Sequence, residues 1–267
     1  MHGFNNHTPQ KPKRFLGETP FIEMEDVSKR FKEIDAVRDV HLIIKQGEIF
    51  GLVGSDGAGK STLLRMIATM IKPSSGHIRI SGMDVVKQVS RIKPLIGYMP
   101  QRFGLYQDLT VQENLDFFMD IFGIFGSERK KRRDRYLGFS NLLPFVDRIA
   151  GALSGGMKQK LGLACVLAHQ PKLLILDEPT NGVDPVSRKE FWDILFEMKK
   201  EGMTILISTA YLDEGEKCDF LALMHKAQII EAETPKTIQS HYPDLETAMI
   251  QRIQEVDKEL VDDRFGI

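Results

Sequence analysis

The sequence predicts an α/β domain with an antiparallel β part and a largely helical insert, and three observations carry that prediction. An apolar pentapeptide, Ile49 to Val53, runs into the glycine-rich stretch Gly54 to Thr62 and then into a helical pattern. A second apolar run, Leu173 to Leu176, ends in the carboxylates Asp177 and Glu178. Strand and helix signals alternate along the chain except between about Arg102 and Lys160, where the signal turns mostly helical. Alternation of this kind builds a sheet covered by helices.

Taken in order, the first twenty residues are polar and proline-containing and read as a disordered tail. Short strands are expected over Phe21 to Asp26 and Val40 to Lys45, and Ile49 to Val53 reads as a buried parallel strand. The helix after the glycine-rich stretch should run from Lys60 through Met70. Thr110 followed by Glu113 is a capping box, so a helix should begin there, with Val111, Leu115, Phe118, Ile121 and Phe122 at helical spacing. Phe117, Phe118, Phe122 and Phe125 read as core of the insert, or else as an exposed groove for a partner helix. The run Arg129 to Arg135 reads as a solvated helix face, with contact to anionic lipid or a partner as the other reading. Strands resume at Leu173 to Leu176 and Thr204 to Ser208, and Leu221 to Met224 with Gln228 to Glu231 suggest a closing hairpin.

The glycine-rich stretch is Gly54-Ser55-Asp56-Gly57-Ala58-Gly59-Lys60-Ser61-Thr62 and fits G-x-x-x-x-G-K-[ST]. Its glycines permit a tight turn whose successive amides face phosphate oxygens. The helix behind it adds the positive end of its dipole. Lys60 is placed to reach β- and γ-phosphates, and the Ser61 hydroxyl to bind magnesium. Asp177 can hold the same ion through its water shell, and Glu178, one position on, can orient or deprotonate an attacking water. Leu153-Ser154-Gly155-Gly156-Met157-Lys158-Gln159-Lys160 opens an apolar helix through Leu167. A serine and two glycines at a helix start form a second anion site. Two such sites in one chain suggest that the second serves another protomer's nucleotide.

With these motifs in this order, residues 21 to 235 or so closely resemble the ATP-binding subunits of ABC transporters, most nearly the bacterial multidrug-export branch. Ser154, Gly155 and Gly156 match the family's signature, although its usual fifth residue is glutamine and here is Met157. Gln101, after Ile96 to Pro100, matches the glutamine loop. Asn181-Gly182-Val183-Asp184 matches the D-loop, and Phe31 the aromatic that stacks on adenine. The resemblance implies an ATPase domain over 21–235 with a helical subdomain over about 102–160; the remainder, 236–267, is expected to be a helical extension. It also implies ATP and Mg2+ as ligands, with Ser61, Gln101 and Asp177 organising the metal and Glu178, aided by Gln101, as the catalytic group. Phe31, the loop Gly54 to Thr62, Ser154 to Gly156 and Asp184 would hold nucleotide. Two ATP-binding subunits, identical or related, would sandwich two ATP molecules and drive an integral membrane permease, as peripheral proteins on the cytoplasmic face of the inner membrane.

One departure stands out. Ser208-Thr209-Ala210-Tyr211-Leu212-Asp213-Glu214 aligns with the switch segment, where the family usually places a histidine at the γ-phosphate, and that position is Ala210. His225 lies too far along the chain to substitute simply, and the remaining histidines have no motif context. This leaves a second reading, a regulatory or non-transport ATP-binding protein with weak hydrolysis. Non-transport members commonly carry long coiled coils or two fused ATPase domains, and neither signal is present.

Composition agrees with a globular enzyme or binding subunit: 42% hydrophobic, 27% charged, net charge −1. No global basic field points to nucleic acid. Cys165 and Cys218 lack ligand spacing and read as reduced and buried. No run approaches the roughly 18 apolar residues of a membrane span, and the N-terminus lacks the apolar core of a signal peptide. A transport role is therefore expected to need separate membrane subunits.

Overall fold

The central strands here are buried along their whole length because both faces are covered. The computed structural model describes residues 20 to 265, with side chains to residue 257, so the expected tail falls, but for Pro20, outside them. In order they form β1 (Ile22–Phe31), β2 (Ile34–Ile44), β3 (Ile49–Val53), α1 (Lys60–Ile67), β4 (Ser75–Ile80), β5 (Met83–Asp84), α2 (Val89–Ile92) and β6 (Ile96–Met99). Then come α3 (Val111–Ile121), α4 (Gly126–Phe139), α5 (Gly155–Leu167), β7 (Leu173–Asp177), α6 (Pro185–Lys200), β8 (Thr204–Thr209) and α7 (Leu212–Gly215). The hairpin β9 (Phe220–His225) and β10 (Gln228–Glu233) follows, with α8 (Pro235–His241) and α9 (Leu245–Phe265).

The larger sheet has the order β10-β9-β3-β8-β7-β6, parallel from β9 to β6, with β10 antiparallel at one edge. Alternation along its strands feeds two cores. Phe50, Leu52, Leu173, Ile175 and Leu206 point to one side, against α1 and the antiparallel sheet. Ile49, Leu174, Leu176, Ile205 and Ile207 point to the other, against α5 and α6. The smaller sheet, β2-β1-β4-β5, is antiparallel and buries Ile22, Met24, Val27 and Ile44 in the first core. From Leu161 to Leu167 helix α5 is apolar all round and buried all round. Leu163, Val166 and Leu167 join the sheet core, while Leu161 and Cys165 join the core of the helical part with Val111, Leu115, Met119 and Leu137. One helix thus ties the insert to the sheet. Outside β9, the helices α8 and α9 cover Leu221 and Leu223 with Ile238, Leu245 and Ala248.

Several expectations shift. Helix α1 stops at Ile67 rather than Met70, because Thr69 turns left-handed (φ 61) and the Met70 and Ile71 amides both return to the Arg65 carbonyl. Strand β1 continues five residues past Asp26, whose φ of 52 marks an irregularity in the pairing rather than a strand end. Strand β2 begins six residues before Val40 for the same reason at Asp39. Helix α6 was not anticipated, though its signals stand in the chain: Asp184 as N-cap, Pro185 behind it, and Phe191, Ile194, Leu195 and Met198 on one face.

The aromatic cluster of the insert is not its core. Phe118 packs against the core, but Phe117, Phe122 and Phe125 are exposed by 36%, 43% and 63%. The inward stripe of α3 is Val111, Asn114, Leu115 and Met119, so a phenylalanine two positions after Leu115 lies off it. Nor is the basic run simply a solvated face. Arg129 binds Asp120, Arg132 binds Glu128 and the Ala168 carbonyl, Arg133 binds Asp116, and Arg135 binds Glu201. These pairs tie α4 to α3, α5 and α6.

The capping box at Thr110 forms as the sequence indicates. The Glu113 amide donates to the Thr110 hydroxyl at 3.1 Å, and the Thr110 amide to the Glu113 carboxylate at 2.8 Å. Thr110→Ala should cost about 1 kcal/mol. In a domain this size that lowers the thermal midpoint by about 2–4 °C. Calorimetry showing an unchanged midpoint would deny the cap any share in stability.

Candidate nucleotide site

The glycine-rich loop leaves the carboxyl end of β3, the central strand, which is where parallel sheets place their ligands. Two glycines are sterically required. A side chain at Gly54 would strike the Met224 carbonyl, and one at Gly59 the Ala36 carbonyl; Gly59 also has φ 109. The loop is thus wedged between β2 and β9. The Ala227 amide adds a hydrogen bond to the Ala58 carbonyl at 3.0 Å. Ser55, Asp56 and Gly57 are exposed at the tip, Ala58 is buried, and Ser61 and Thr62 are half-buried in the first turn of α1.

Lys60 turns back under the loop. Its Nζ donates to the carbonyls of Gly54 (2.7 Å) and Ser55 (3.0 Å) and pairs with Glu178 Oε1 at 3.0 Å. Both partners of that ion pair are buried, at 3% and 9% side-chain exposure. Glu178 Oε2 accepts from Gln101 Nε2 at 3.0 Å and from Asn181 Nδ2 at 3.4 Å. The backbone of Glu178 is left-handed (φ 49), and its amide bonds the Ser208 carbonyl and hydroxyl, both at 3.1 Å. Such a conformation persists only where the surroundings impose it.

Asp177 stands at the end of β7. Its Oδ1 accepts from Ser61 Oγ at 2.8 Å and Ser208 Oγ at 2.9 Å, and its Oδ2 from the Tyr98 hydroxyl at 3.4 Å. Burial, with the Asp177 charge beside it, pushes the Tyr98 phenol above its ordinary range. The Ser61 hydroxyl, the Asp177 carboxylate and the side-chain carbonyl of Gln101 are hard oxygen donors, the set Mg2+ prefers, and the first two already touch. The residues present therefore fit that ion.

The other sequence-derived residues fall in three places. Phe31 ends β1 with 46% of its surface exposed, and Lys29 Nζ sits 4.9 Å from its ring centroid. Ser154 caps α5 by accepting from the Met157 amide at 3.3 Å, and Gly155 is exposed. Gly156 lies against Ser187 and Asp184, leaving no room for a Cβ. Asp184 caps α6, and the Ser187 amide it accepts from holds its carboxyl below the usual range. The structure thus joins Lys60, Ser61, Gln101, Asp177 and Glu178 in one constellation and joins Ser154 to Gly156 with Asp184 in another. Cys165 and Cys218 are buried and free, and burial pushes both thiols up. His225 pairs with Asp257 at 3.1 Å, and His169 stacks on Phe122 with ring centroids 4.0 Å apart.

Sequence reasoning missed three contributors. Tyr98 and Ser208 both bond Asp177; each lies in a stretch that was read for its neighbours, before Gln101 and at the start of the switch segment, and nothing local signals the bond. Asn114 is fully buried and pins the segment after Gln101, accepting from the Tyr106 amide and donating to the carbonyls of Tyr106, Leu109 and Thr110. A polar residue in the inward stripe of a helix was the available clue.

Comparison with known proteins now places this geometry in a class. A family model described as ABC transporter matches residues 37–181. The chain belongs to that family and is one of its ATP-binding cassettes. It is 48% identical over 219 residues to the probable multidrug ABC transporter ATP-binding protein YbhF of Escherichia coli (strain K12), an alignment that covers 81% of this chain and 38% of that protein. The chain thus spans well under half the length of that relative. It is 37% identical over 215 residues to the ABC transporter ATP-binding protein NatA of Bacillus subtilis (strain 168), covering 78% of this chain and 87% of NatA. Among solved structures, it is similar to a dimeric post-hydrolysis state of an ATP-binding cassette bound to ADP and Pi. The TM-score there is 0.72 at 26% identity, over 80% of this chain and 98% of the other.

Lys60 contributes a charged hydrogen-bonding group of the kind worth about 1.5–3 kcal/mol, so Lys60→Ala should weaken ATP binding about 10- to 100-fold. Calorimetric titration in the absence of turnover measures this directly. An affinity within about twofold of the parent would remove Lys60 from the phosphate site.

Proposed function

We propose that this chain binds and hydrolyses Mg-ATP as one motor subunit of a membrane transporter, in an export system. The observation that carries the reading is the convergence of Lys60, Gln101 and Glu178 within 3.0 Å contacts, beside the Ser61–Asp177 pair, at the carboxyl ends of β3, β6 and β7. The names of the relatives support it.

In this reading the loop amides of Gly54 to Thr62 and the start of α1 take the phosphates, and Phe31 takes the adenine. Triphosphate competes with Glu178 for Lys60. The lysine turns to the phosphate, and the carboxylate is left to accept a proton from the attacking water. Ser61, Asp177 and Gln101 would hold Mg2+, which neutralises charge developing on the β- and γ-phosphate oxygens. Ser154 to Gly156 and Asp184 present a second anion-binding face to another subunit's nucleotide, so that ATP bridges two subunits. Loss of the γ-phosphate removes the bridging charge and lets the pair open. The exposed aromatics Tyr106, Phe117, Phe122 and Phe125, on the segment that follows Gln101, form the face for an integral membrane permease. The chain then works peripherally at the cytoplasmic face of the inner membrane.

Glu178→Gln keeps the shape of the site and the bond from Gln101 but removes the base. Turnover should fall by about 10²-fold or more, while ATP binding persists and a closed dimer accumulates. Light scattering with magnesium and ATP reports the dimer, and phosphate release reports the turnover. Parental turnover in this variant would take Glu178 out of the catalytic role.

Ala210 favours a second reading, in which this chain's own site is slow and its signature serves a related subunit whose site is complete. A preorganised donor at a developing charge is worth about 10²–10³ in rate. Ala210→His in the purified chain should then raise turnover clearly. No change, alongside brisk activity of the parent, would show that another group already fills the role.

A further inference from the structure

We infer that Arg188 is a positioning residue for the Glu178 carboxylate, acting through a closed ring of contacts that joins the segment after β7 to the segment after β8. Arg188 stands in the first turn of α6, four positions after the cap Asp184, with its side chain 19% exposed. Its guanidinium makes three kinds of contact at once. Nη2 meets both oxygens of Asp213 at 3.2 and 3.1 Å. Nε and Nη2 reach Glu214 Oε1 at 3.3 and 3.2 Å. The plane lies over the Tyr211 ring, 4.3 Å from its centroid.

Two routes lead from these contacts to the proposed catalytic carboxylate. Along the first, Glu214, which has no exposed surface, accepts from Thr180 Oγ1 and Thr209 Oγ1, each at 2.7 Å. Thr180 is two residues from Glu178. Along the second, the Tyr211 hydroxyl donates to Asn181 Oδ1 at 3.4 Å, and Asn181 Nδ2 donates to Glu178 Oε2 at 3.4 Å. The Tyr211 amide closes the ring on Thr209 Oγ1 at 3.0 Å. Ala210, between the ring members Thr209 and Tyr211, is exposed, and its methyl group offers no polar contact of its own.

The physics makes Arg188 the member on which the ring depends. Glu214 is a buried carboxylate whose other partners are neutral hydroxyls, and a buried charge that loses its cation is strongly unfavourable. The left-handed backbone at Glu178 needs its neighbours held, and Thr180 and Asn181 are those neighbours. Removing Arg188 should loosen residues 178–184 and 208–215 together. The phosphate loop is held mainly by β2, β9 and α1, and it meets this ring through a backbone bond, the Gly54 amide donating to the Thr209 carbonyl at 3.3 Å, which no ring side chain supplies. Geometry at the base should therefore suffer while nucleotide affinity does not. The kinetic part of the argument rests on Glu178 acting as the base; the structural coupling does not.

The test compares Arg188→Ala, Arg188→Lys, Tyr211→Phe and the double variant Arg188→Ala/Tyr211→Phe. Turnover, ATP affinity and amide hydrogen exchange are read for each. For Arg188→Ala, kcat should fall about 10- to 100-fold, as a small misplacement of a catalytic group allows. ATP affinity should stay within about twofold, and protection should drop in both 178–184 and 208–215 but not in 49–67. Arg188→Lys keeps the charge and loses the planar fork, so it should recover only part of kcat. Tyr211→Phe should lower kcat by a smaller factor in the parent and have no further effect in Arg188→Ala. Unchanged protection of 178–184 in Arg188→Ala overturns the inference whatever the turnover. So do independent, multiplying effects of the two substitutions. Should Arg188→Ala fail to fold, Tyr211→Phe, which keeps the ion pairs, decides alone: protection of 178–184 must fall. Persistent turnover in Glu178→Gln would instead strike the base assignment and leave the exchange result to judge the coupling.

Discussion

The buried ion pair between Lys60 and Glu178 is the constraint around which the rest of the site is arranged. Neither charge could be buried alone without a cost of several kcal/mol, so each must be delivered by a rigid element to the same point. Helix α1 delivers Lys60 from one side, and β7 delivers Glu178 from the other. The loop carbonyls of Gly54 and Ser55 complete the shell of the ammonium, and Gln101 and Asn181 complete that of the carboxylate. A group that displaces one half of such a pair must bring charge of its own, which makes the site selective for a polyanion.

That delivery depends on the sheet. Strand β8 lies between β3 and β7, and its register sets Asp177 level with Ser208 and Leu52, one residue before the paired ends Val53 and Thr209. Alternating residues of each strand enter opposite cores, and a slip by one position would exchange the two sets and turn the functional ends away. The wedge of the glycine loop between Met224 and Ala36 makes the same demand from above. Packing and chemistry are thus enforced by one register.

The helical part is held differently. Its own core is apolar, but its link to the sheet combines the all-round burial of α5 from Leu161 on with charged contacts, among them Lys160 to Glu190 and Arg135 to Glu201. The arginines of the basic run are used in these and in bonds within the insert, while Lys130 and Lys131 keep the exposed face. Of the aromatics that looked like core, Phe117, Phe122 and Phe125 are left at the surface. Both follow from the orientation of helices α3 and α4 about their axes, which local composition does not specify when apolar and charged residues are interleaved at similar spacing.

The fold class was legible in the sequence because its strongest signals are local. Ile49 to Thr62, Thr110 to Glu113, Ser154 to Leu167 and Leu173 to Glu178 each contain within a few residues the glycines, caps and apolar runs that set their own conformation. The candidate nucleotide residues stand in the same local stretches. Only the tertiary structure decided which of them meet. Gln101 and Glu178 are 77 positions apart, Ser61 and Asp177 are 116 apart, and sheet order alone brings them within hydrogen-bonding distance. Asn114, whose bonds are local, shows only as a polar residue in an inward stripe. Tyr98, Ser208 and Arg188 carry no mark of their role because their contribution is a contact made across the fold. Such contacts depend on the relative placement of whole elements, which packing of the two cores fixes and no short stretch of residues contains.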